Sequence, residues 1–197
     1  MGIAVVIVMG YRYLKNSVAL TRNIISHFVK EGYIVADCTV GNGHDTLLLA
    51  RMVGKGGRVY GFDIQSVAID RTQNKLMEHG LEQRVILINS GHENIGKHVE
   101  DRLHLAIYNL GYLPGGDKKI TTIPDTTLES IAQTLTLLYN NGLLLVTCYT
   151  GHEGGEIERQ RVEEYLMSLD QKRFNVLRFD FINQRNNPPV LYGVEKL

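Results

Sequence analysis

Hydrophobic positions along the chain follow two rhythms. Short unbroken apolar runs, as expected of strands covered on both faces, are separated by longer segments with apolar residues three and four apart, as expected of helices. From Ser17 the pattern is helical, with Val18, Leu20, Ile24, Ile25, Phe28 and Val29 on one face, Asn16 or Ser17 as N-cap and Gly32 as stop. The run Ile34-Val35-Ala36 then reaches Asp37, turns through Thr39-Val40-Gly41-Asn42-Gly43-His44, and enters a helical segment at Asp45-Thr46-Leu47-Leu48-Leu49-Ala50. A second run, Arg58 to Phe62, ends in Asp63 and is followed by a helix from about Ser66 to His79, capped by Ser66 and stopped by Gly80. Strands are predicted at Arg84 to Asn89 and Leu103 to Tyr108. Pro124 and Asp125 open a long amphipathic helix closed by Asn141-Gly142, and Leu143 to Thr147 form a strongly apolar fifth strand.

The end of the chain changes character. A helix rich in Glu and Arg, about 156 to 169, precedes two strands, Phe174 to Ile182 and Val190 to Glu195. The link Asn183 to Pro189 is too short for a crossover helix, so these two strands should be antiparallel. The whole pattern predicts an α/β fold, a Rossmann-like, mostly parallel sheet of about seven strands with a C-terminal antiparallel strand and helices on both faces. Residues 11–197 read as a single domain and 1–10 as an extension of unassigned role. Its apolar run, residues 3 to 8, is too short to span a bilayer and reads as an added edge strand, a homodimer contact or an artefact of start-site choice.

Composition narrows the function classes. The formal net charge is zero, with a sequence pI of about 7.1, so no global basic field marks a nucleic-acid binder and any RNA contact must be local. Cys38 and Cys148 form neither a disulfide framework nor a metal-ligand spacing. They read as small buried residues in a protein of the cytoplasm, without metal and without membrane attachment.

The chemistry concentrates where strands end. Strand, Asp37, G-x-G turn, helix, strand and Asp63 stand in the register of a nucleoside-cofactor site, in which the second acidic side chain, about 20 residues on, meets a ribose. A dinucleotide site wants a third glycine, where Thr46 stands here, and Asp45 at the helix mouth would repel a pyrophosphate. An acid there suits S-adenosylmethionine (SAM), which has no phosphate and carries a sulfonium and an ammonium. Asn42, Gly43 and Asp45 would surround the amino-acid end of that cofactor, Asp63 its ribose, and Gln65 with Gly91-His92 its adenine side, with Thr46 also among the cofactor contacts. In isolation His92 would read as a surface loop histidine, and its place after the third strand decides for the cofactor. Asn109-Leu110-Gly111-Tyr112 has the N-x-x-aromatic form in which an Asn oxygen holds an amino group while the aromatic packs on a base. A structural Asn capping a turn is the rival reading. Lys118, Lys119, His152 and Arg185 are candidate RNA contacts, the lysines otherwise being solvated surface and His152 a proton acceptor or a loop residue.

The closing antiparallel strand resembles that of class I SAM-dependent methyltransferases. More specifically, Asp37-x-Thr39-x-Gly41-Asn42-Gly43-x-Asp45-Thr46, Phe62-Asp63-Ile64-Gln65, Asn109 to Lys118, and Phe181-Ile182-Asn183-Gln184-Arg185-Asn186-x-Pro188-Pro189 resemble the bacterial rRNA-methylase-like family associated with tRNA 5-(aminomethyl)-2-thiouridine methyltransferases (MnmM, or YtqB). Two departures are the extension before Tyr11 and Gly91, which stands where a serine is expected before His92. The resemblance implies SAM as cofactor and tRNA as partner. It implies methylation of the exocyclic amine of a wobble uridine, with Asn109 orienting the amine and Tyr112 packing on the base. An rRNA or small-amine methyltransferase, an NAD-dependent oxidoreductase and a noncatalytic RNA-binding module remain as alternatives.

Overall fold

The computed structural model describes residues 11, 14–117 and 119–197. The expected N-terminal edge strand or dimer contact at residues 3 to 8, and Lys118, lie outside the described residues. In chain order the elements are α1 (Ser17–Phe28), β1 (Ile34–Asp37), α2 (His44–Met52), β2 (Arg58–Asp63), α3 (Ser66–Glu78), β3 (Val85–Asn89), α4 (Ile95–His98), β4 (Leu103–Leu110), α5 (Pro124–Leu137), β5 (Leu138–Cys148), α6 (Gly155–Met167), β6 (Phe174–Phe179) and β7 (Val190–Lys196).

The strands form one seven-stranded sheet in the order β3-β2-β1-β4-β5-β7-β6. The first five are mutually parallel, and β7 lies antiparallel between β5 and β6. Strand alternation sorts the core into two layers. Val35, Leu105, Ile107 and Leu145 face α1, α2 and α3, where they meet Ile25, Leu49 and Leu76. Ala36, Ala106, Tyr108, Leu144 and Val146 face the other way, toward Ile95, Ile131, Leu135, Val162 and Leu166 of α4, α5 and α6. Both faces are covered, which is why the strands read as unbroken apolar runs rather than alternating ones.

Three predicted boundaries shift. α5 ends at Leu137, not at Asn141-Gly142, because β5 begins at Leu138 opposite Leu103 and then bulges, with pairing resuming at Leu105 and Leu143. Asn141 takes the left-handed conformation (φ 62°) within that bulge, so the Asn-Gly pair marks a bulged strand and not a helix end. α5 instead stops on cations: Lys196 Nζ donates to the carbonyls of Leu135, Thr136 and Leu138, at 2.7, 3.2 and 3.0 Å. β6 stops at Phe179, before Ile182, and β4 continues to Leu110, placing Asn109 in a strand and not in a loop. The chain order runs outward from β1 to β3, then returns to β4 on the other side of β1. This switch point opens a crevice beyond the carboxyl ends of β1 and β4.

Candidate active site

That crevice is a cavity of about 760 Å³. Asp37 precedes the lining residues Cys38 and Thr39 without lining the cavity itself. It is fully buried, accepts from Thr46 Oγ1 at 2.6 Å and from the Thr39 backbone N–H at 3.2 Å, and burial pushes its carboxyl up to about 7. Thr46 therefore spends its hydroxyl on Asp37, is itself fully buried and does not line the cavity, contrary to its expected place among the cofactor contacts. Gly43 does not line it either. At φ 71° it caps α2, and a Cβ there would lie 2.4 Å from Thr72 Oγ1 on α3, so this glycine answers to helix packing.

Asp63 ends β2 with both carboxylate oxygens anchored. Oδ2 accepts from the Gly41 N–H at 2.8 Å and Oδ1 from the Gln65 N–H at 2.9 Å. Each oxygen retains a second lone pair, an arrangement that fits a vicinal diol. Asn89 Nδ2 donates to the carbonyls of Asp63 and Ile64, fixing the segment that carries Gln65. Next to it, Gly91 and His92 line the cavity. His92 is 8% exposed, its pKa is lowered by burial, and its Nε2 has no hydrogen-bond partner among the described residues. A neutral imidazole edge buried without a partner suits a heteroaromatic ligand better than a surface role. The glycine before it has a local cause: a Cβ at Gly91 would fall 2.2 Å from Glu93 Oε2, so a serine there requires the Glu93 side chain to move.

Asp45 lies in the first turn of α2 and binds in two directions. Its Oδ1 accepts from Arg22 Nε at 2.9 Å and its Oδ2 from Asn109 Nδ2 at 3.2 Å. The pair with Asn109 settles the amide orientation, since a flipped Asn109 would set Oδ1 against a carboxylate. Asn109 Oδ1 accepts no hydrogen bond among the described residues, while the backbone N–H of Asn109 is held by Thr39 Oγ1 at 2.7 Å. Arg22, on α1, also lines the cavity. It stands outside every recognisable motif, on a helix whose sequence signals only amphipathicity, and sequence reasoning missed it.

Asn42 joins the glycine turn to the loop after β4, donating from Nδ2 to the Pro114 carbonyl at 3.0 Å, while Lys75 Nζ holds the Asn42 carbonyl at 2.7 Å. In that loop Tyr112 pairs with Thr121 in an isolated antiparallel bridge and lines the cavity. Its ring meets His152 edge-on, with centroids 5.9 Å apart and planes at 89°. His152 Nδ1 faces the Glu153 carbonyl at 2.9 Å, which makes Nδ1 the protonated nitrogen, and the ring packs between Gly111 and Gly155. Lys119 and Arg185 are exposed and do not line the cavity, although Asn187 and Pro189, beside Arg185, do. Cys38 lines the cavity as a buried thiol whose pKa burial pushes up, which opposes formation of a nucleophilic thiolate.

The geometry fits a cationic nucleoside without phosphate: acids at the ribose and helix-mouth positions, and an unpartnered imidazole nitrogen on the base side. A family model described as "Putative rRNA methylase" matches residues 59–195. The chain belongs to this rRNA methylase family. A plant relative, the chloroplastic tRNA (mnm(5)s(2)U34)-methyltransferase of Arabidopsis thaliana, is 33% identical and aligns with 93% of this chain and 71% of its own length. Among solved structures, a "putative rRNA-methylase" from Clostridium thermocellum is 46% identical, covers 93% of this chain and 99% of its own, and superposes with a TM-score of 0.91. A "putative methyltransferase" from Streptococcus mutans, solved in complex with SAH, is 35% identical, covers 96% of this chain and all of its own, with a TM-score of 0.84. The Rossmann-like class I methyltransferase fold expected from the sequence is therefore the fold of this family, and the chain is a SAM-dependent methyltransferase. Among the described residues no helix is long and apolar enough to cross a membrane.

Proposed function

We propose that this rRNA methylase family member methylates the aminomethyl nitrogen of 5-aminomethyl-(2-thio)uridine at the tRNA wobble position. The observation that carries this reading is the Asn109–Asp45 hydrogen bond, which takes up Nδ2 and leaves the carbonyl oxygen of this cavity-lining residue to accept an amine N–H. Support for the tRNA substrate comes from the plant relative named for the mnm5s2U34 position. The cofactor, when bound, supplies an electrophilic methyl group on a sulfonium. The protein's task is then to present a neutral amine in line with it. Asn109 Oδ1 accepts one amine N–H, which directs the nitrogen lone pair away from Asn109, and Tyr112 offers an aromatic face or edge to the uridine ring. Asp45 and Arg22 would take the ammonium and carboxylate of the amino-acid end, Asp63 the ribose hydroxyls, and Gln65 with His92 the adenine side.

RNA contacts beyond the cavity fall to its rim, where Lys119 and Arg185 flank the mouth-forming segments, with Lys118 next in sequence. A reducing compartment such as the cytoplasm suits the two free, buried cysteines. The test is mass spectrometry of nucleosides from tRNA carrying 5-aminomethyl-2-thiouridine after incubation with the protein and SAM. A gain of one methyl group on that nucleoside is expected. No gain in a protein that binds SAM would overturn the tRNA assignment and turn attention to rRNA.

A further inference from the structure

Glu158, on α6, carries a carboxylate that the reading above leaves unused. It is 2% exposed, and among the described residues neither oxygen meets a cation. Its partners are two threonine hydroxyls: Thr122 Oγ1 donates to Oε2 and Thr127 Oγ1 to Oε1, each at 2.6 Å. Burying a carboxylate on neutral donors is costly, and an apolar side chain would join α6 to α5 more cheaply. What the carboxylate provides is a fixed hydroxyl at Thr122. The backbone N–H of Thr122 donates to the Gly111 carbonyl at 2.9 Å, and its neighbour Thr121 bridges to Tyr112. A short bonded path thus runs from a buried acid to both sides of the Gly111-Tyr112 turn. Thr127, in the first turns of α5, anchors the other oxygen to the scaffold.

We propose that Glu158 is a positioning residue for methyl transfer, strapping the Asn109–Tyr112 segment in place through Thr122. The inference rests on the reading of that segment as the amine-binding element. The strap fixes Tyr112 against the edge of His152 and leaves the ribose and adenine sides of the cavity untouched, so its loss acts on substrate turnover and not on cofactor affinity.

The experiment compares the full chain with Glu158→Ala, Glu158→Gln, Thr122→Val and Thr127→Val, measuring SAH affinity by calorimetry and single-turnover methylation of aminomethyl-uridine tRNA. Glu158→Ala and Thr122→Val are expected to slow methylation about tenfold or more while SAH affinity stays within about twofold. Glu158→Gln, which can still accept one hydroxyl and donate to the other, keeps most of the rate, and Thr127→Val loses less than Thr122→Val. Thr122→Val leaves the carboxylate bonded to Thr127, so it decides the matter if Glu158→Ala does not fold. Wild-type turnover in an SAH-binding Glu158→Ala or Thr122→Val variant overturns the proposal, as does a parallel fall of turnover and SAH affinity, the mark of a merely structural tie. Hydrogen exchange separates this failure from failure of the substrate reading. If the wild-type protein binds SAH but methylates no such tRNA, the methyl-transfer role falls with the substrate, and faster exchange confined to residues 111–122 in Glu158→Ala retains the strap alone.

Discussion

Asn109 and Asp45, 64 positions apart in sequence, share a hydrogen bond of 3.2 Å from the amide Nδ2 to the carboxylate Oδ2. One carboxylate thereby serves two sites, since its other oxygen takes Arg22 Nε at 2.9 Å. The acid that puts negative charge at the helix mouth thus also occupies the Asn109 Nδ2, leaving Oδ1 as that side chain's acceptor.

Replacing Asn109 tests that division. Asn109→Ala is expected to slow methylation by about 100-fold, because an amine without its acceptor is misaimed at a methyl carbon that tolerates little misplacement. SAH affinity should be close to wild type. Single-turnover rates at saturating SAM read this loss, and an unchanged rate would remove Asn109 from the catalytic machinery.

Asp45→Ala should act on both partners. Calorimetry with SAM is expected to show binding weakened about tenfold or more, roughly 1.4 kcal/mol, through loss of the acid facing a cationic ligand. Turnover should also fall, as Asn109 loses the bond that orients it. Arg22→Met should leave global stability nearly unchanged, because its side chain is 44% exposed and such pairs contribute little.

Asp37 makes stability depend on pH in an uncommon direction. Its folded carboxyl is pushed up to about 7 from the ordinary aspartate value of 3.8, with burial as the leading cause and the Asp45 and Asp63 charges adding to it. The fold therefore binds the Asp37 proton more tightly than the unfolded chain does, and stability from this group is lost as pH rises from about 3.8 to about 7. The loss is bounded at roughly 4 kcal/mol. Urea midpoints measured across that window should fall less with rising pH in Asp37→Asn than in the wild type; parallel profiles would show that Asp37 is already ionised in the acid range.

Lys196→Met should lower stability without touching chemistry. The ammonium donates to three carbonyls at the end of α5, where the helix dipole is negative. Losing those charge-assisted bonds is expected to cost about 2 kcal/mol, moderated by Arg102, which also donates to the carbonyls of Thr136 and Leu138. A shifted urea midpoint with unchanged SAH affinity is the predicted result.

Much of this site was legible along the chain because it is built from local signals. The strand-turn-helix at Ile34 to Ala50 and the acid closing β2 are patterns of neighbours in sequence, dictated by burial of both sheet faces and by the conformation that Gly43 adopts. Asp63, His92, Asn109 and Tyr112 could be placed at strand ends from periodicity, and the cavity brings them together. Where a local signal misled, a long-range contact had overridden it. Asn141-Gly142 reads as a helix stop by propensity, yet pairing of Leu138 with Leu103 draws those residues into a bulged strand. Thr46 stands in the cofactor motif, yet the buried Asp37 carboxylate claims its hydroxyl.

The sequence alone therefore determined the α/β sheet covered on both faces, the gathering of the site at the carboxyl ends of its strands and the acidic character that favours a phosphate-free cofactor. The strand order that opens the cavity between β1 and β4 came from the fold. Tertiary structure decided the hydrogen-bond partners: Arg22 on Asp45, Thr46 on Asp37, Thr122 on Glu158, and the orientation of the Asn109 amide. The physical reason is one of range. Hydrophobic periodicity and turn geometry act between residues a few positions apart, whereas a buried polar group must be satisfied by whatever the folded chain brings within about 3 Å, and no sequence spacing encodes that distance.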